Sequence, residues 1–209
     1  MAFVNPPRWL EWAQEIEALA QTSAHYAENE YQRGRCQRLM EIAAEIAHES
    51  TGLEYSPILS AYRDQLGYAT PKVDVRGAVF QDGKLLMVRE RQDNGWTLPG
   101  GWADVGDLPS AATEREVWEE AGFRVRAVKV IGVYDANRLP PLELFHAFKI
   151  VFLCELIDGQ PTPSSETSEV AFFGPDEIPA ALSGERTRPR HIQDAFRALV
   201  EPDSATVFD

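Results

Sequence analysis

Cysteine is scarce in this sequence of 209 residues, which contains only Cys36 and Cys154. They lie in segments of different predicted structure, so we interpret each as a small buried apolar residue rather than half of a disulfide. Long apolar runs are also missing. No stretch reaches the roughly 18 consecutive apolar residues of a membrane span, and the first residues lack the basic and apolar segments of a signal peptide. The cytoplasm is therefore the expected location, and no membrane partner is expected.

Positive charge is in short supply as well. The chain has 20 Lys and Arg against 33 Asp and Glu, which gives a net charge of −13. Sequence-independent binding of nucleic acid depends on clustered Lys and Arg, so nucleic acid is not expected as a partner. A small phosphorylated substrate held through metal ions remains compatible with this charge.

The first third of the chain has helical periodicity. Helices are predicted at 8–23 and 25–50, with a short third one at 57–65, and residues 1–67 form a predicted small helical domain. The first two carry apolar stripes with the same internal spacing, which indicates an antiparallel pair. The stripes are Trp9, Trp12, Ala13, Ile16, Leu19 and Ala20, and Cys36, Leu39, Met40, Ala43, Ile46 and Ala47.

The pattern changes near Thr70, and residues 68–209 form the predicted second domain. Two apolar segments, 73–80 and 84–89, flank Asp82-Gly83 and predict a β-hairpin. Residues 95–101 are a predicted loop that leads to a helix with three carboxylates. Further strands are expected at 125–134, 145–156 and 169–173, and a last helix at 188–200. Strands and helices mixed without regular alternation indicate the α+β class.

The helix after this loop carries unusual charge. Glu116, Glu119 and Glu120 fall on one of its faces. Like charges one turn apart repel, which an ordinary helix surface avoids. Divalent cations bound through oxygen would reverse that cost. The helix therefore predicts a metal-dependent enzyme, in preference to a merely solvated acidic face.

The segment from Gly101 to Phe123 resembles the signature of the Nudix hydrolases. Six fixed identities match at the family's spacing, and the order of predicted strands also fits over about residues 70–200. The matching residues are Gly101, Arg115, Glu116, Glu119, Glu120 and Gly122. The resemblance implies an α/β/α sandwich with a mixed β-sheet and an enzyme that cleaves diphosphate bonds.

One signature position departs from the family pattern. Asp107 stands where the family usually has Glu. By resemblance, this acid pairs with Arg115 and fixes the loop against the helix. The shorter Asp still accepts a charge-assisted hydrogen bond, and it also suits a helix cap.

The resemblance implies Mg²⁺ or Mn²⁺ as cofactor. Such an ion neutralises the oxygens of a diphosphate, lowers the pKa of a bound water and orients it. Glu116 and Glu120, one turn apart, are the predicted pair for the primary ion. Glu119 is the predicted ligand of a second ion, and the carbonyl near Gly101 is expected to add an oxygen.

The general base is expected from a carboxylate on the helix or on a later loop. Glu166 and Glu169 precede or begin an apolar strand where the family often carries such a residue, and Glu166 is preferred because a loop reaches more freely. Ordinary solvation of the loop is the competing interpretation. The predicted catalytic residues are therefore Arg115, Glu119 and Glu166.

Six residues are candidates for substrate binding. Arg89 and Arg91 are placed to hold phosphates, with surface salt bridges as the alternative. Trp96 and His146 are candidates for contact with substrate, although packing is favoured for Trp96 and a core hydrogen bond for His146. Asp135 and Arg138 lie in or near a loop that is expected to line the nucleotide pocket.

The helical segment narrows the resemblance to a bacterial two-domain group, which includes CDP-choline pyrophosphatases and ADP-ribose pyrophosphatases. Residues 8–16 and 145–149 also fit this group. It implies hydrolysis of a nucleoside diphosphate joined to a group X, giving a nucleoside monophosphate and phospho-X, in a homodimer. The alternatives are an RNA-end or nucleoside-triphosphate hydrolase and a non-catalytic ligand-sensing domain.

Overall fold

The computed structural model describes residues 7–64, 67–104, 106–136, 146–184 and 186–209. Contacts group these residues into two compact units. One unit runs from residue 7 to residue 71 and includes His146, and the other holds residues 72–136 and 147–209. Contacts thus divide the chain between Pro71 and Lys72, while the boundary at residues 67 and 68 stays a prediction.

Three helices form the first unit: α1 (Arg8–His25), α2 (Glu30–Thr51) and α3 (Tyr55–Arg63). The second helix begins later than predicted because Asn29 caps it, with its Oδ1 accepting a hydrogen bond from the Gln32 amide at 2.9 Å. It ends at Gly52, whose φ of 72° is left-handed. The apolar core of the unit consists of Ala20, Met40, Ala43, Ala44, Ala47, Ile58, Leu59 and Tyr62.

The predicted apolar stripe of α1 is only partly buried. Ala13 and Ala20 are buried, as expected for a face packed on neighbouring helices. Trp12 and Leu19, however, remain 48% and 59% exposed. Small residues let the helices of this unit approach closely, so the larger side chains of the stripe fall outside the contact.

The second unit is built on one mixed sheet of eight strands with two helices. The strands are β1 (Lys72–Gln81), β2 (Lys84–Glu90), β3 (Trp96–Thr97), β4 (Gly100–Trp102), β5 (Phe123–Asp135), β6 (Ala147–Gly159), β7 (Thr167–Phe173) and β8 (Val207–Phe208), and the helices are α4 (Pro109–Ala121) and α5 (Pro189–Val200). The order is β3-β2-β1-β6-β5-β8, while β4 pairs with β1 and β7 with β2. Strands β1 and β6 are parallel, and β5 and β6 antiparallel.

Alternating side chains cover both faces of this sheet. Val75 and Val79 of β1 pack on one face with Val117 of α4. Ala78 of β1 packs on the other face with Ile192 of α5. A helix on each face of a mixed sheet is the α/β/α sandwich predicted from the sequence, and the α+β class is confirmed.

The predicted hairpin is confirmed, whereas the following loop needs a correction. Asp82 and Gly83 both have positive φ, 50° and 75°, as the tight turn of a two-residue hairpin requires. The segment from Gly95 to Gly101 is not wholly a loop, because β3 and β4 occupy part of it. Such two- and three-residue strands are too short to produce a periodic signal.

The structure also describes the two cysteines and the apolarity of the helices. Both Cys36 and Cys154 are buried free cysteines, as predicted. Within the described residues, none of the helices has the length and apolarity that a membrane crossing requires.

Candidate active site

Helix α4 carries the signature carboxylates, and local sequence sets both of its ends. Pro109 is its first residue, a position where a missing amide hydrogen costs nothing. Gly122 ends it with a φ of 76°. A Cβ on Gly122 would lie 2.6 Å from Cβ of Thr162, so this close approach also requires glycine.

Two of the carboxylates converge on strand β4. The Gly100 amide donates a hydrogen bond of 2.8 Å to Oε2 of Glu120. Glu116 lies against the next residue, since a Cβ on Gly101 would fall 2.9 Å from its Oε2. Glycine at both positions lets the backbone of β4 approach the two carboxylates, which are one turn apart on α4.

Glu119 is placed differently from the other two. Its side chain is 55% exposed, and its Oε2 accepts a hydrogen bond of 3.4 Å from Arg115. Within the described residues, no group of three or more His, Cys, Asp and Glu is arranged to hold a metal ion. The structure thus brings Glu116 and Glu120 to β4, and the role of Glu119 as a second ligand stays a prediction.

The expected pairing of Asp107 with Arg115 is present. Arg115 Nη2 donates a hydrogen bond of 3.1 Å to Oδ2 of Asp107, and Nη1 donates one of 2.7 Å to Oε1 of Glu116. Asp107 Oδ2 also accepts from the Asp104 amide at 3.2 Å. Asp107 does not cap α4, because Leu108 is the cap residue and makes no side-chain hydrogen bond. The shorter acid thus still ties the loop to the helix.

Burial raises the pKa of two of these carboxylates. It raises the pKa of Glu120, which is 6% exposed, from 4.5 to about 7, with Arg76 and the Gly100 amide opposing the rise and Glu90 and Glu116 adding to it. Burial also raises the pKa of Glu116, although Arg115 opposes it. Carboxylates desolvated in this way gain most from a nearby cation.

Sequence reasoning missed Glu90, the last residue of β2. It is 4% exposed and contacts Arg186, with 3.4 Å between Oε1 and Nε. Burial raises its pKa, Arg186 and Arg76 oppose the rise, and Asp93 and Glu166 add to it. Glu90 therefore interacts electrostatically with both Glu120 and Glu166.

Sequence reasoning also missed a buried ionic network that joins β1 and β6. Asp74 accepts hydrogen bonds from Arg76 Nε at 2.7 Å and Nη2 at 2.9 Å, and from Lys149 Nζ at 2.9 Å. These two cations hold the pKa of Asp74 below its usual value despite its burial. Arg76 Nη1 further donates to the Leu98 carbonyl at 3.2 Å, next to the residues that meet the carboxylates.

A sequence signal for this network did exist. Asp74 and Arg76 alternate with valines in β1, so both side chains point to the same face of the strand. Two opposite charges at i and i+2 inside an apolar strand indicate a buried pair, because each would otherwise be desolvated alone.

The loop with the proposed general base is tied to α4. The Thr167 hydroxyl donates a hydrogen bond of 2.7 Å to the Glu120 carbonyl, and Glu166 is its neighbour in the chain. The Glu166 carbonyl accepts from the Arg91 amide at 2.9 Å. Glu169, in contrast, forms an ion pair with Arg89. Glu166 is therefore next to a residue that contacts α4, and the choice between Glu166 and Glu169 as the base stays a prediction.

The two arginines proposed for phosphate binding have protein partners. Arg89 pairs with Glu169, and its Nε donates to the Asn94 carbonyl at 3.0 Å. Arg91 Nε and Nη2 both lie 3.3 Å from the Ser164 carbonyl. Arg89 thus forms a surface salt bridge, as in the alternative interpretation, while Arg91 contacts a backbone carbonyl, and phosphate binding by either residue stays a prediction.

The remaining substrate candidates fall at separate places. Trp96 packs edge-to-face on Phe173, with ring centroids 4.8 Å apart, which supports the favoured packing role. Asp135 ends β5, where its amide donates a hydrogen bond of 2.7 Å to Asp209. His146 precedes β6 instead of lying on it and belongs to the helical unit. Arg138 lies outside the described residues.

Comparison with known proteins places this geometry in a family. The NUDIX domain matches residues 70–195, and a UDP-X-like N-terminal oligomerisation domain, Nudix_N, matches residues 7–62. YjhB of Bacillus subtilis, provisionally named an ADP-ribose pyrophosphatase, is 36% identical over 97% of both chains. An ADP-ribose pyrophosphatase of Methanocaldococcus jannaschii is 28% identical and covers 61% of this chain and 78% of its own length.

Two solved structures are similar to this one. A crystal structure of an ADP-ribose pyrophosphatase from Streptococcus suis has a TM-score of 0.62 and 36% identity, over 67% of this chain and all of the other. A UDP-X diphosphatase has the same TM-score and 27% identity over 97% of this chain and 98% of the other. Together with Glu116 and Glu120 of the signature meeting β4, these similarities show that the chain is an enzyme of the Nudix hydrolase family, preceded by a Nudix_N domain.

Proposed function

We propose that this enzyme hydrolyses the diphosphate bond of a nucleoside diphosphate linked to a second group X, releasing a nucleoside monophosphate and phospho-X. The observation that carries the proposal is the convergence of Glu116 and Glu120 on the glycine backbone of β4. The names of the relatives favour ADP-ribose and UDP-linked compounds as first candidates. CDP-choline remains the third candidate, from the resemblance of the two-domain arrangement.

The donor set of this site fits a hard divalent cation. Nudix hydrolases generally use divalent metals such as Mg²⁺. Glu116 and Glu120 offer carboxylate oxygens on one helix face, and burial raises the pKa of both. Oxygen-only sites suit Mg²⁺ or Mn²⁺. We propose one of these ions as the cofactor, with Glu119 as ligand of a second ion and the Gly101 carbonyl as a further oxygen.

The bound ion would supply charge neutralisation for the diphosphate and acidity for the attacking water. The chain itself contributes position and proton transfer. Arg115 and Asp107 fix the β4–α4 loop, and Gly100 orients Glu120. Glu166 is the proposed base, and an Oε atom of its carboxylate accepts the proton from the attacking water.

A substrate screen tests this proposal. Hydrolysis with Mg²⁺ or Mn²⁺ is measured for ADP-ribose, UDP-linked sugars, CDP-choline, NADH, nucleoside triphosphates and capped RNA, with product identification by chromatography. The proposal expects cleavage of at least one nucleoside diphosphate–X compound to the two monophosphates. Preference for triphosphates or capped RNA would replace it by the alternative hydrolase, and inactivity on every compound would favour a ligand-sensing role.

Glu166→Gln tests the base within this reaction. We expect kcat to fall by about 10²-fold, since general bases typically contribute 10²–10⁴-fold, with little change in metal affinity. Glu169→Gln is the matched control, because Glu169 is held by Arg89. An unchanged rate in Glu166→Gln would move the role of the base to another carboxylate.

We further propose that the enzyme is a homodimer joined through its N-terminal helices. The matched Nudix_N domain is described as an oligomerisation domain. Helix α1 presents Trp12 and Leu19 at 48% and 59% exposure, and its C-cap residue Tyr26 follows at 68%; we call these three residues the α1 stripe. Their spacing of seven residues keeps them on one side of the helix, as a packing seam requires.

A further inference from the structure

Trp102 is an exposed aromatic residue in the strand that meets the site's carboxylates. It ends β4, directly after Gly100 and Gly101, and it is 49% exposed. A large aromatic side chain in contact with water lacks the burial that stabilises most aromatic residues.

The register of β4 fixes the direction of the Trp102 side chain. Gly101 faces Glu116 of α4, and Ala103 packs in the core on the α4 side of the sheet. Trp102 lies between them and therefore points to the opposite face. There it is the cross-strand partner of Asp74, which in turn pairs with Lys149 of β6.

Two other tryptophans of this unit are already engaged elsewhere. Trp96 packs on Phe173. Trp118 is 47% exposed on α4, where the guanidinium of Arg124 lies 5.1 Å from its ring centroid. Of these three tryptophans, Trp102 is the exposed one that lies in β4.

We propose that Trp102 stacks on the nucleobase of the substrate and so holds its nucleoside half. The inference rests on the proposed function, and it adds a binding residue to it. Consecutive extended residues advance by about 3.3–3.6 Å, so Trp102 lies about 7 Å along the strand from Gly100, which binds Glu120. In a nucleotide, one sugar separates the phosphate from the base. Trp102 points away from α4, but β4 pairs only with β1 in the described sheet. A substrate with its diphosphate at the carboxylates would therefore place its base against the ring around the outer edge of β4, where the Gly100 amide meets Glu120.

Because the protein is acidic, an aromatic side chain is well suited to bind the uncharged part of the substrate. With a net charge of −13, the chain repels anions beyond the reach of its metal site. A nucleobase is neutral, and its flat face binds an indole through stacking without any cation. The ring thus gains affinity from the part of the substrate that carries no phosphate.

Calorimetric titration of the full chain with AMP, UMP and the base-free ribose 5-phosphate, at fixed Mg²⁺, tests this inference. Base stacking is worth about 1–3 kcal/mol by alanine substitution. Trp102→Ala should therefore weaken binding of the preferred nucleotide by about 5- to 150-fold and leave ribose 5-phosphate unchanged. Trp102→Phe should retain most of the affinity, because it keeps a ring. Trp118→Ala is the matched control and should bind like the wild type.

The outcomes separate this inference from the proposed function. If the wild type cleaves a nucleoside diphosphate–X compound while Trp102→Ala binds AMP and UMP as tightly as the wild type, only the stacking role is overturned. Equal weakening for nucleotide and ribose 5-phosphate would also overturn it, since the effect would not depend on the base. A change of oligomeric state in size-exclusion chromatography would reassign Trp102 to an interface. A wild type that neither binds nor cleaves any nucleotide overturns both claims.

Discussion

At the residue scale, the most consequential side chain is Glu120. Its carboxylate is buried, accepts a hydrogen bond from Gly100 and lies in the field of Arg76, Glu90 and Glu116. Desolvation outweighs the favourable contacts, so the pKa rises to about 7. A carboxylate with a purely structural role would not need to carry a charge at this buried position. We therefore interpret the raised pKa of Glu120 as the mark of a cation site.

Removal of the Glu120 charge should stabilise the metal-free protein at neutral pH. Between pH 4.5 and about 7 the folded state binds more protons than the unfolded chain, so the free energy of unfolding falls as the pH rises. Glu120→Gln mimics the protonated acid. In urea titrations with chelator it should match the wild type near pH 4.5 and exceed it by up to about 3 kcal/mol at about pH 8, from a pKa rise of roughly 2.5.

The exposed Glu119 provides the control for this pH dependence. Glu119→Gln should show a difference from the wild type of no more than about 0.5 kcal/mol across the same pH range. A Glu120→Gln difference that is constant with pH would contradict the proposed cause.

The Asp74–Arg76 pair gives a second prediction at this scale. Their side chains are 6% and 4% exposed, so Asp74→Asn strands two buried cations and should cost about 3–5 kcal/mol of unfolding free energy. The exposed pair of Arg89 and Glu169 is the comparison, and Arg89→Gln should cost less than about 1 kcal/mol. Equal losses in denaturant titrations would show that burial does not decide the effect.

At the scale of elements, sequence patterns predicted the long segments and missed the short ones. The helices and long strands carry enough residues for a period to be seen, and Gly52, Gly122 and Asp82-Gly83 mark their ends by backbone conformation. Strand β4 carries no period in its three residues. Its existence depends on pairing with β1 across more than twenty residues of chain, which local patterns do not record.

The same contrast holds for the site. The signature predicted Glu116, Glu120 and the Asp107–Arg115 pair, because these lie within one local segment. Glu90 comes from β2, outside that segment, and its relation to the site follows from tertiary contacts. Trp102 lies within the segment at a position that the signature does not fix, and its direction follows from the pairing of β4 with β1. Asp74 and Arg76 do carry a local signal, because the alternation of β1 places both on the same face of the strand.

Glycine substitutions in β4 test how closely this strand approaches α4. A methyl on Gly101 would meet the flexible end of Glu116, so Gly101→Ala should fold while weakening Mn²⁺ binding by about 10- to 100-fold in calorimetry. Gly100→Ala should instead disrupt folding, since its Cβ would fall 2.0 Å from the Val75 carbonyl oxygen.

Gly34 on α2 is the control for these substitutions. A Cβ there meets nothing within 4 Å, so Gly34→Ala should leave Mn²⁺ affinity unchanged and stabilise the helix by about 0.5–1 kcal/mol. Unaltered Mn²⁺ affinity in Gly101→Ala would contradict the assignment of Glu116 as a ligand.

At the scale of the whole molecule, an acidic chain combines a Nudix hydrolase domain with a small helical domain. Half of the helical core residues are alanines, and the larger Trp12 and Leu19 of α1 remain exposed. Exposed Trp and Leu at regular spacing mark an interaction surface rather than a random surface. We therefore expect the homodimer to depend on the α1 stripe.

Leu19→Glu tests this expectation. A buried negative charge at the seam should convert a dimer of about twice 23.4 kDa into a monomer of 23.4 kDa in light scattering. Gln37→Glu adds the same charge at an exposed site of α2. Gln37 lies about 160° around this helix from Leu39, which belongs to the apolar stripe of α2, so this variant should remain dimeric. A Leu19→Glu protein that stays dimeric would exclude the α1 stripe as the interface.

The central claim is that buried oxygen donors of α4 serve a divalent cation in diphosphate cleavage. The most direct measurement compares kcat of the wild type and Glu120→Gln on the best compound of the screen, with Mg²⁺ and with chelator. We expect activity that chelator abolishes and a fall of at least about 10²-fold in Glu120→Gln. Cleavage at the wild-type rate by Glu120→Gln, or in the presence of chelator, would contradict it.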